Sequence, residues 1–316
     1  MIRHIINRRN LRLFILSSRE FILDIFSSRT FLSRFRKKKN GISVLLPTQN
    51  EELMVKTSIL SFLDFADEII VVDNGSEDNT KEIIKELAKK FQKIRFFDKP
   101  GIQTLFQNRQ FAFRKSKYRW ICRFDSDFVA YNHIKELRKI LLEFPRGILP
   151  KVISIPRVNV SKDFYNTKTI YFLNGKKVKG NVITLPEKKI YEYFPLMCFM
   201  RFKRREIVSF QEFMKEIVLR RVYYMHCDIK SSFNSFMRSE RPNWRNLENF
   251  KKYPTLKSYI LDIIKEKYGT SDLRTACKIY TKNEIENEDN YIPYNPNKYL
   301  PYPELVEELM IKSENN

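Results

Sequence analysis

No apolar stretch in this sequence is long enough to cross a bilayer as a helix. The most promising segment, FILSSREFILDIFSS, is broken by Arg19, Glu20 and Asp24, well short of the ~20 apolar residues a spanning helix needs. Nor is there an unbroken apolar stretch followed by small residues, as a secretory leader requires. Cysteine is scarce. Cys122, Cys198, Cys227 and Cys277 lie far apart without a CxxC pair, which excludes a disulfide framework or zinc ribbon. Four such thiols suit a reducing compartment, so a cytoplasmic location is expected. With 7 Gly and 13 Pro in 316 residues, collagen-like and linker-rich chains are excluded. Neither GxGxxG nor GxxxxGK[ST] follows an apolar run, which removes dehydrogenase and P-loop readings. There are no internal repeats.

Apolar residues are plentiful. They make up 43% of the chain, with 26 Phe and 16 Tyr, ample for one large core. Basic residues are in excess, 59 Lys+Arg against 37 Asp+Glu, a net charge of +22. Such a field attracts nucleic acid, an anionic membrane surface or phosphorylated substrates, and charge alone does not choose among them. The excess is concentrated in residues 1–40, which hold eleven Lys/Arg against Glu20 and Asp24 and interleave them with Leu, Ile and Phe. A basic amphipathic segment of this kind can lie on anionic headgroups with its cations toward them. Packing on the main body with a solvated basic face is the other reading.

From Gly41 the pattern changes. ISVLLP (42–47), DEIIVVD (67–73), IRFFD (94–98) and RWICRF (119–124) read as buried strands. EELMVKTSILSFL, KEIIKELAKKF, QTLFQNRQFAFRK and HIKELRKILLEF read as helices. Strands and helices alternating at this spacing predict a parallel sheet with crossover helices. Further on, KVISIPRV, KTIYFL and NVITL read as strands, with NGKK (174–177) as a hairpin turn. SFQEFMKEIVLRRV reads as a helix, and YYMHCDIKSSFNSFMR as a strand running into a helix. Beyond Arg241 the pattern is helical, with PYNPNKYLPYP (293–303) as an extended tail.

In a parallel sheet, ligands collect beyond the carboxyl ends of the strands. There this chain carries Thr48-Gln49-Asn50-Glu51, Asp73-Asn74-Gly75-Ser76 and Asp125-Ser126-Asp127. Asp125 and Asp127 flank one residue at a strand end. In extended chain both carboxylates would project to one side and reach a hard cation such as Mg²⁺ or Mn²⁺. Asp73 and Asn74 can read donors on a base or ribose, or simply form a turn. Arg109 can pair with phosphate through its fork of donors. His226, beside Asp228 in MHCD, is either a packed core imidazole or a further metal ligand.

ISVLLPTQNEE, DEIIVVDNGSEDNT and NRQFAFRKSKYRWICRFDSD, in that order and spacing, resemble the three opening blocks of family 2 glycosyltransferases. The resemblance implies a GT-A fold: a Rossmann-like, mostly parallel sheet flanked by helices. The domain would span 41–240, between the basic extension 1–40 and a helical C-terminal region with its tail, 241–316. It implies a nucleotide-sugar donor, a UDP-sugar first among them, and a glycan or lipid-linked acceptor. Mn²⁺ or Mg²⁺ would be the cofactor and the displacement inverting. Peripheral association with an inner membrane face is a further expectation. Pro47, Thr48, Asn50 and Glu51 would line the nucleotide pocket, and Asp73 and Asn74 would face the base. Arg109 would lie near the diphosphate and Asp125 near ribose or metal. Asp127 would be the principal metal ligand, and His226 would complete the metal site. Where the family commonly has Asp-Asp-Gly-Ser this chain has Asp73-Asn74. Gln110 stands in place of an Asn, and Phe128 in place of a second Asp after the motif. No clear general base appears; Glu206, Glu212 and Asp228 are candidates. Two other readings stand beside this one, a basic nucleic-acid-binding protein, though no reader motif is present, and a catalytically inactive scaffold of the same fold.

Overall fold

The computed structural model describes residues 14–19, 22, 37–100, 104–161, 164–168, 170–173, 176–179, 181–202, 205–244, 247–286 and 291–314. Most of the basic segment 1–40 lies outside the described residues. Within it, residues 14–19 form a helical turn. The buried Ser17 hydroxyl accepts from the Phe210 amide at 3.3 Å and meets Met200 Sδ at 3.7 Å. The Phe14 ring sits edge-on to Phe210 and Phe213. Here this turn packs on the body, while Phe14 and Ile15 still expose about half of their surface.

The four expected strands are present. They are β1 (Lys39–Thr48), β2 (Glu68–Asp73), β3 (Ile94–Asp98) and β4 (Tyr118–Arg123), with α1 (Val55–Ser61), α2 (Thr80–Lys90) and α3 (Leu105–Lys115) between them. After β4 come β5 (Phe128–Ala130), α4 (Ile134–Glu143), β6 (Lys151–Ile155) and β7 (Val158–Ser161). Then follow β8 (Asn166–Lys168), β9 (Ile170–Leu173), β10 (Lys176–Lys179) and β11 (Glu187–Glu192). The remaining strands are β12 (Phe199–Phe202), β13 (Arg205–Val208), β14 (Lys215–Val218), β15 (Tyr224–Asp228) and β16 (Tyr291–Pro293).

The central sheet has the order β14-β6-β11-β4-β1-β2-β3. Every neighbouring pair is parallel except those made by β11, which runs against both β4 and β6. The mostly parallel α/β architecture expected from the sequence is therefore found. The chain leaves β1 toward β2 and β3, then returns on the other side as β4. That reversal opens a crevice at the carboxyl ends of β1 and β4.

Pleat alternation explains why the strands are apolar throughout. Ile42, Val44, Leu46, Ile69 and Val71 enter one core with Ile59, Ile84 and Leu137 of the helices. Leu45, Ile70, Val72 and Ile121 enter a second core with Ala112 and Phe113 of α3. Both faces are covered, as a parallel sheet requires, and each fully buried side chain of this size stabilises by ~1.5–3 kcal/mol. The helix ends are marked chemically. Glu82 in the first turn and Lys89 and Lys90 in the last complement the dipole of α2. Gln107 accepts from the Thr104 amide at 2.9 Å to start α3.

Two expectations are corrected. SFQEFMKEIVLRRV is not a helix: a short 3-10 turn at Gln211–Phe213 leads into β14, which pairs in parallel with β6. The sheet edge offered a ladder of backbone bonds, and that outweighed the helical spacing of Phe210, Phe213, Met214 and Ile217. NVITL is not a strand and makes one isolated bridge, Ile183 to Val158. KTIYFL does form a hairpin, β9 with β10, whose first turn residues Asn174 and Gly175 lie outside the described residues.

The chain divides into two compact units. One comprises residues 1–158, 183–226 and 301–316 and holds the central sheet. The other comprises 159–182 and 227–300. The second is built from α5 (Ser232–Trp244), α6 (Leu247–Lys252), α7 (Leu256–Tyr268) and α8 (Leu273–Glu286), with the β8–β16 pair. Its core gathers Phe236, Met237, Tyr259, Ile260 and Ile264. In it, Glu240 is buried and paired with Lys267 at 2.9 Å. The last helix, α9 (Glu304–Glu314), belongs to the first unit. Among the described residues no helix is long and apolar enough to cross a membrane.

Candidate active site

Three loops meet at the carboxyl edge of the sheet. The loops after β1 and β2 are laced together by hydrogen bonds. Asn74 N donates to the Thr48 carbonyl (3.0 Å) and Gln49 Nε2 to the Asn74 carbonyl (2.9 Å). Asn50 N donates to Ser76 Oγ and Glu77 N to Asn50 Oδ1, each at 2.9 Å. Glu51 N donates to Thr80 Oγ1 at 2.8 Å. Asn50 holds a left-handed φ of 55°, a conformation Asn tolerates better than most residues. The loop after β4 joins them through Ser126 Oγ, which donates to the Pro47 carbonyl at 3.3 Å. Thr48, Asn50, Asp73, Asn74 and Asp127 are all buried or nearly so.

Asp73 is turned into its own loop. Its Oδ1 accepts from Gly75 N (2.9 Å) and Ser76 N (2.8 Å), and Oδ2 from the Ser76 hydroxyl. Burial pushes its carboxyl above the usual range despite those bonds and Lys81 nearby. The carboxylate fixes the turn, the alternative use the sequence left open.

Asp125 and Asp127 do not lie in extended chain. The Phe128 amide donates to the Asp125 carbonyl at 3.1 Å, closing a tight turn, so their side chains diverge. Asp125 goes to Arg109. Burial opposes ionisation of Asp125, yet Arg109, Lys189 and Arg123 hold it well below the usual carboxylate range. Arg109 is buried and donates to Asp125, to Glu206 and to the Phe124 carbonyl (3.1 Å). Its neighbour Gln110 accepts from Phe199 N at 2.7 Å and so anchors β12.

Asp127 goes the other way. Its Oδ2 lies 3.4 Å from His226 Nε2. The two are brought together because β5 and β15 pair antiparallel, with Phe128 opposite His226 and the rings edge to face at 5.0 Å. Strand β15 runs unbroken to Asp228, and two-residue alternation puts Asp228 on the side His226 occupies. Asp127, His226 and Asp228 can each offer one ligand atom, all within 4.8 Å of one another. Two carboxylates and an imidazole fit a divalent ion.

The candidate bases separate on geometry. Glu206 faces Arg109 and lies 3.7 Å from Arg123. Asp228 is 2.6 Å from Arg238. Glu212 lies in the 3-10 turn Gln211–Phe213 that leads into β14. Sequence reasoning passed over Lys189 on β11, a buried cation 5.0 Å above the Phe128 ring. A charged residue inside a strand rich in Lys and Glu gave no signal.

Sheet order, crevice and acidic turn together define an α/β protein with a topological switch point at the carboxyl ends of β1 and β4, the place where ligands bind in open α/β sheets. The model of glycosyl transferase family 2 matches residues 43–207, just over half of the chain, and the chain belongs to that family of glycosyltransferase enzymes. An uncharacterised glycosyltransferase of Haemophilus influenzae is 29% identical over 106 residues, 32% of this chain and 42% of that protein. The glucosyl-3-phosphoglycerate synthase of Petrotoga mobilis is 23% identical over 193 residues, 56% of this chain and 55% of that one. The chain thus spans about half the length of the curated relatives it matches. Among solved structures, a mannosyltransferase from Pyrobaculum calidifontis, in complex with GDP-Man and Mn²⁺, is similar. It is 11% identical, with 96% of this chain and 97% of that one covered and a TM-score of 0.39.

Proposed function

We propose that this chain transfers a sugar from a nucleotide-diphosphate-sugar donor, a UDP-sugar first among the candidates, to a hydroxyl of a glycan or lipid-linked acceptor, with inversion. The observation that carries the reading is the convergence of the β1, β2 and β4 loops beside the Asp127–His226 pair. The nucleotide would lie across the pre-tied loops of Thr48, Asn50 and Asn74. These need little reordering on binding, which lowers its entropic cost. Asp127 and His226, with Asp228, would hold Mn²⁺ or Mg²⁺, and the ion when bound would stabilise charge on the departing diphosphate. Asp125, kept ionised by Arg109, stands beside them for the ribose or the ion. Glu206 is a counter-ion in this reading, since its carboxylate is taken up by Arg109 and Arg123.

The names of two similar proteins fit such a donor: one is a glucosyl-3-phosphoglycerate synthase, and the other was solved with GDP-Man and Mn²⁺. The basic segment 1–40 and the exposed Phe14 and Ile15 suit an acceptor held at an anionic membrane face.

Thermal-shift screening of UDP-, GDP-, CMP- and dTDP-sugars with and without Mn²⁺ tests the donor reading. One donor should stabilise the protein in a Mn²⁺-dependent way, and Asp127→Ala should abolish the metal dependence. A response that is unchanged in the variant overturns it. Co-sedimentation with anionic vesicles, with residues 1–38 present or deleted, tests the membrane reading; equal binding by both forms removes it.

A further inference from the structure

Lys189 and Arg157 converge on one point beside the acidic turn. Lys189 Nζ lies 3.3 Å and Arg157 Nη1 2.5 Å from the same oxygen, Oε2 of Glu187. Both cations also stand over one face-forming residue, Phe128, at 5.0 Å and 5.9 Å from its ring centroid. Phe128 directly follows Asp127 and packs against His226, so this point adjoins the proposed metal site.

The backbone is arranged to place Lys189 there. On β11, Lys188 pairs with Ser154 and Ile190 with Ile153, consecutive residues of β6, so Lys189 is the extra residue of a β-bulge. Lys189 is buried, as are Ile190, Tyr191 and Glu192 after it, because the sheet is covered on both faces. Bulges re-aim single side chains and are common beside active sites. Burying an ammonium is costly unless it is well paired. Here two cations, with Arg123 near, share one oxygen of a carboxylate whose own side chain is 41% exposed. Burial first, then Arg123 and Arg157, push the Lys189 ammonium down to about 8, and Asp125 and Glu187 only partly offset them. Two buried cations thus share the one Glu187 oxygen, with the Tyr224 hydroxyl as a further partner of Arg157.

We infer that Lys189 and Arg157 form an oxyanion subsite that takes a phosphoryl or carboxyl group of a substrate, with Glu187 as the internal stand-in the substrate displaces. The inference rests on the transferase reading only for the word substrate. Two sources share this chemistry, the diphosphate of the donor and an acidic group on the acceptor. Glu187 can swing out to water because it is half exposed, whereas Lys189 and Arg157 stay fixed by the bulge and by the Arg157 amide bond to Thr184 Oγ1 at 3.2 Å.

Calorimetric titration of the full chain with inorganic phosphate, in EDTA and without nucleotide, tests the subsite apart from any metal. Phosphate should bind the native chain. Lys189→Met should weaken it by roughly tenfold or more, the loss of one charge-assisted bond. Glu187→Gln should strengthen it by a similar factor, because the competing charge is gone. The opposite signs keep the test decisive even where the methionine variant folds poorly. Repeating the titration with UDP or GDP and Mn²⁺ present separates the sources: competition assigns the subsite to the donor diphosphate, and independent binding to the acceptor. Equal phosphate affinity in all three proteins, or none in the native chain up to about 10 mM, an affinity too weak for a built site, overturns the inference. Because that titration contains neither metal nor nucleotide, its failure leaves the Asp127-dependent donor test standing, and the reverse also holds.

Discussion

The guanidinium of Arg109 joins Asp125 to Glu206, donating to one carboxylate through Nη2 and to the other through Nη1. The sequence suggested a phosphate contact for Arg109 and a possible base in Glu206. In the folded chain they make a charge triad around the buried Arg109, which fixes the first aspartate of the acidic turn. Removing one member leaves an uncompensated buried charge, which costs more than the intact group contributes.

Glu206→Gln follows from that geometry. Glutamine keeps an acceptor for Arg109, so donor turnover should fall by less than about tenfold, whereas loss of a general base costs ~10²–10⁴. Arg109→Met should instead lower stability by about 3–5 kcal/mol, read as a drop in the urea midpoint. A loss of turnover above a hundredfold in Glu206→Gln, with the fold intact, would reassign Glu206 as the base.

The Asp127–His226 pair predicts a metal-linked response. His226→Ala should weaken Mn²⁺ binding by about tenfold or more, since each 1.4 kcal/mol of lost coordination is tenfold. EDTA should remove the stabilisation by donor in the native chain and change nothing in Asp127→Ala. Titration calorimetry with Mn²⁺ reads the first effect and thermal melting the second. Unchanged Mn²⁺ affinity in His226→Ala would take the imidazole out of the metal site.

Away from the site, Asp67 accepts two bonds from Arg138 at 2.9 Å and one from the Ile42 amide at 2.8 Å. Burial raises the Asp67 carboxyl, but Arg138 and the amide outweigh it and hold it below the ordinary value. A depressed carboxyl stabilises the fold above its unfolded pKa, and that stability is lost as pH falls through the folded value. Asp67→Asn should therefore cost roughly 1–2 kcal/mol at pH 7 and clearly less at a pH below the ordinary carboxylate range, measured by urea melts at both. An equal deficit at both pH values would show that the charge is not the source.

Much of the sheet could be read from the sequence because strands buried on both faces are continuous apolar runs. ISVLLP, EIIVVD and RWICRF leave little else to be, and the polar residues at their ends fall on one edge by topology alone. Strand β11 could not be read this way: Glu187, Lys188, Lys189 and Glu192 look like solvated charge until their partners Arg157, Glu216 and Arg119 are seen. The same limit applies to Arg109. Its residue type fits a phosphate contact as well as a buried triad, and only the fold decides. The nearness of His226 to Asp127 likewise depends on a strand pairing across about a hundred residues of chain, which local pattern does not encode.

Gly41 offers a test of packing on β1 itself. Its φ of +155° is one that side-chain-bearing residues rarely adopt. A Cβ there would lie 2.5 Å from Tyr118 Cδ1 and 2.8 Å from Asp67 Oδ2. Neither neighbour moves freely, since Asp67 is held by Arg138 and Tyr118 stands on β4, parallel to β1. Gly41→Ala should therefore destabilise by about 1–3 kcal/mol through overpacking, seen as a lower urea midpoint at unchanged slope. The clash runs through Asp67, so Gly41→Ala and Asp67→Ala should be non-additive, the second removing part of the obstruction the first creates. If instead the two changes add, the strain lies against Tyr118 or in the backbone at Gly41, and the Asp67 contact contributes nothing to it.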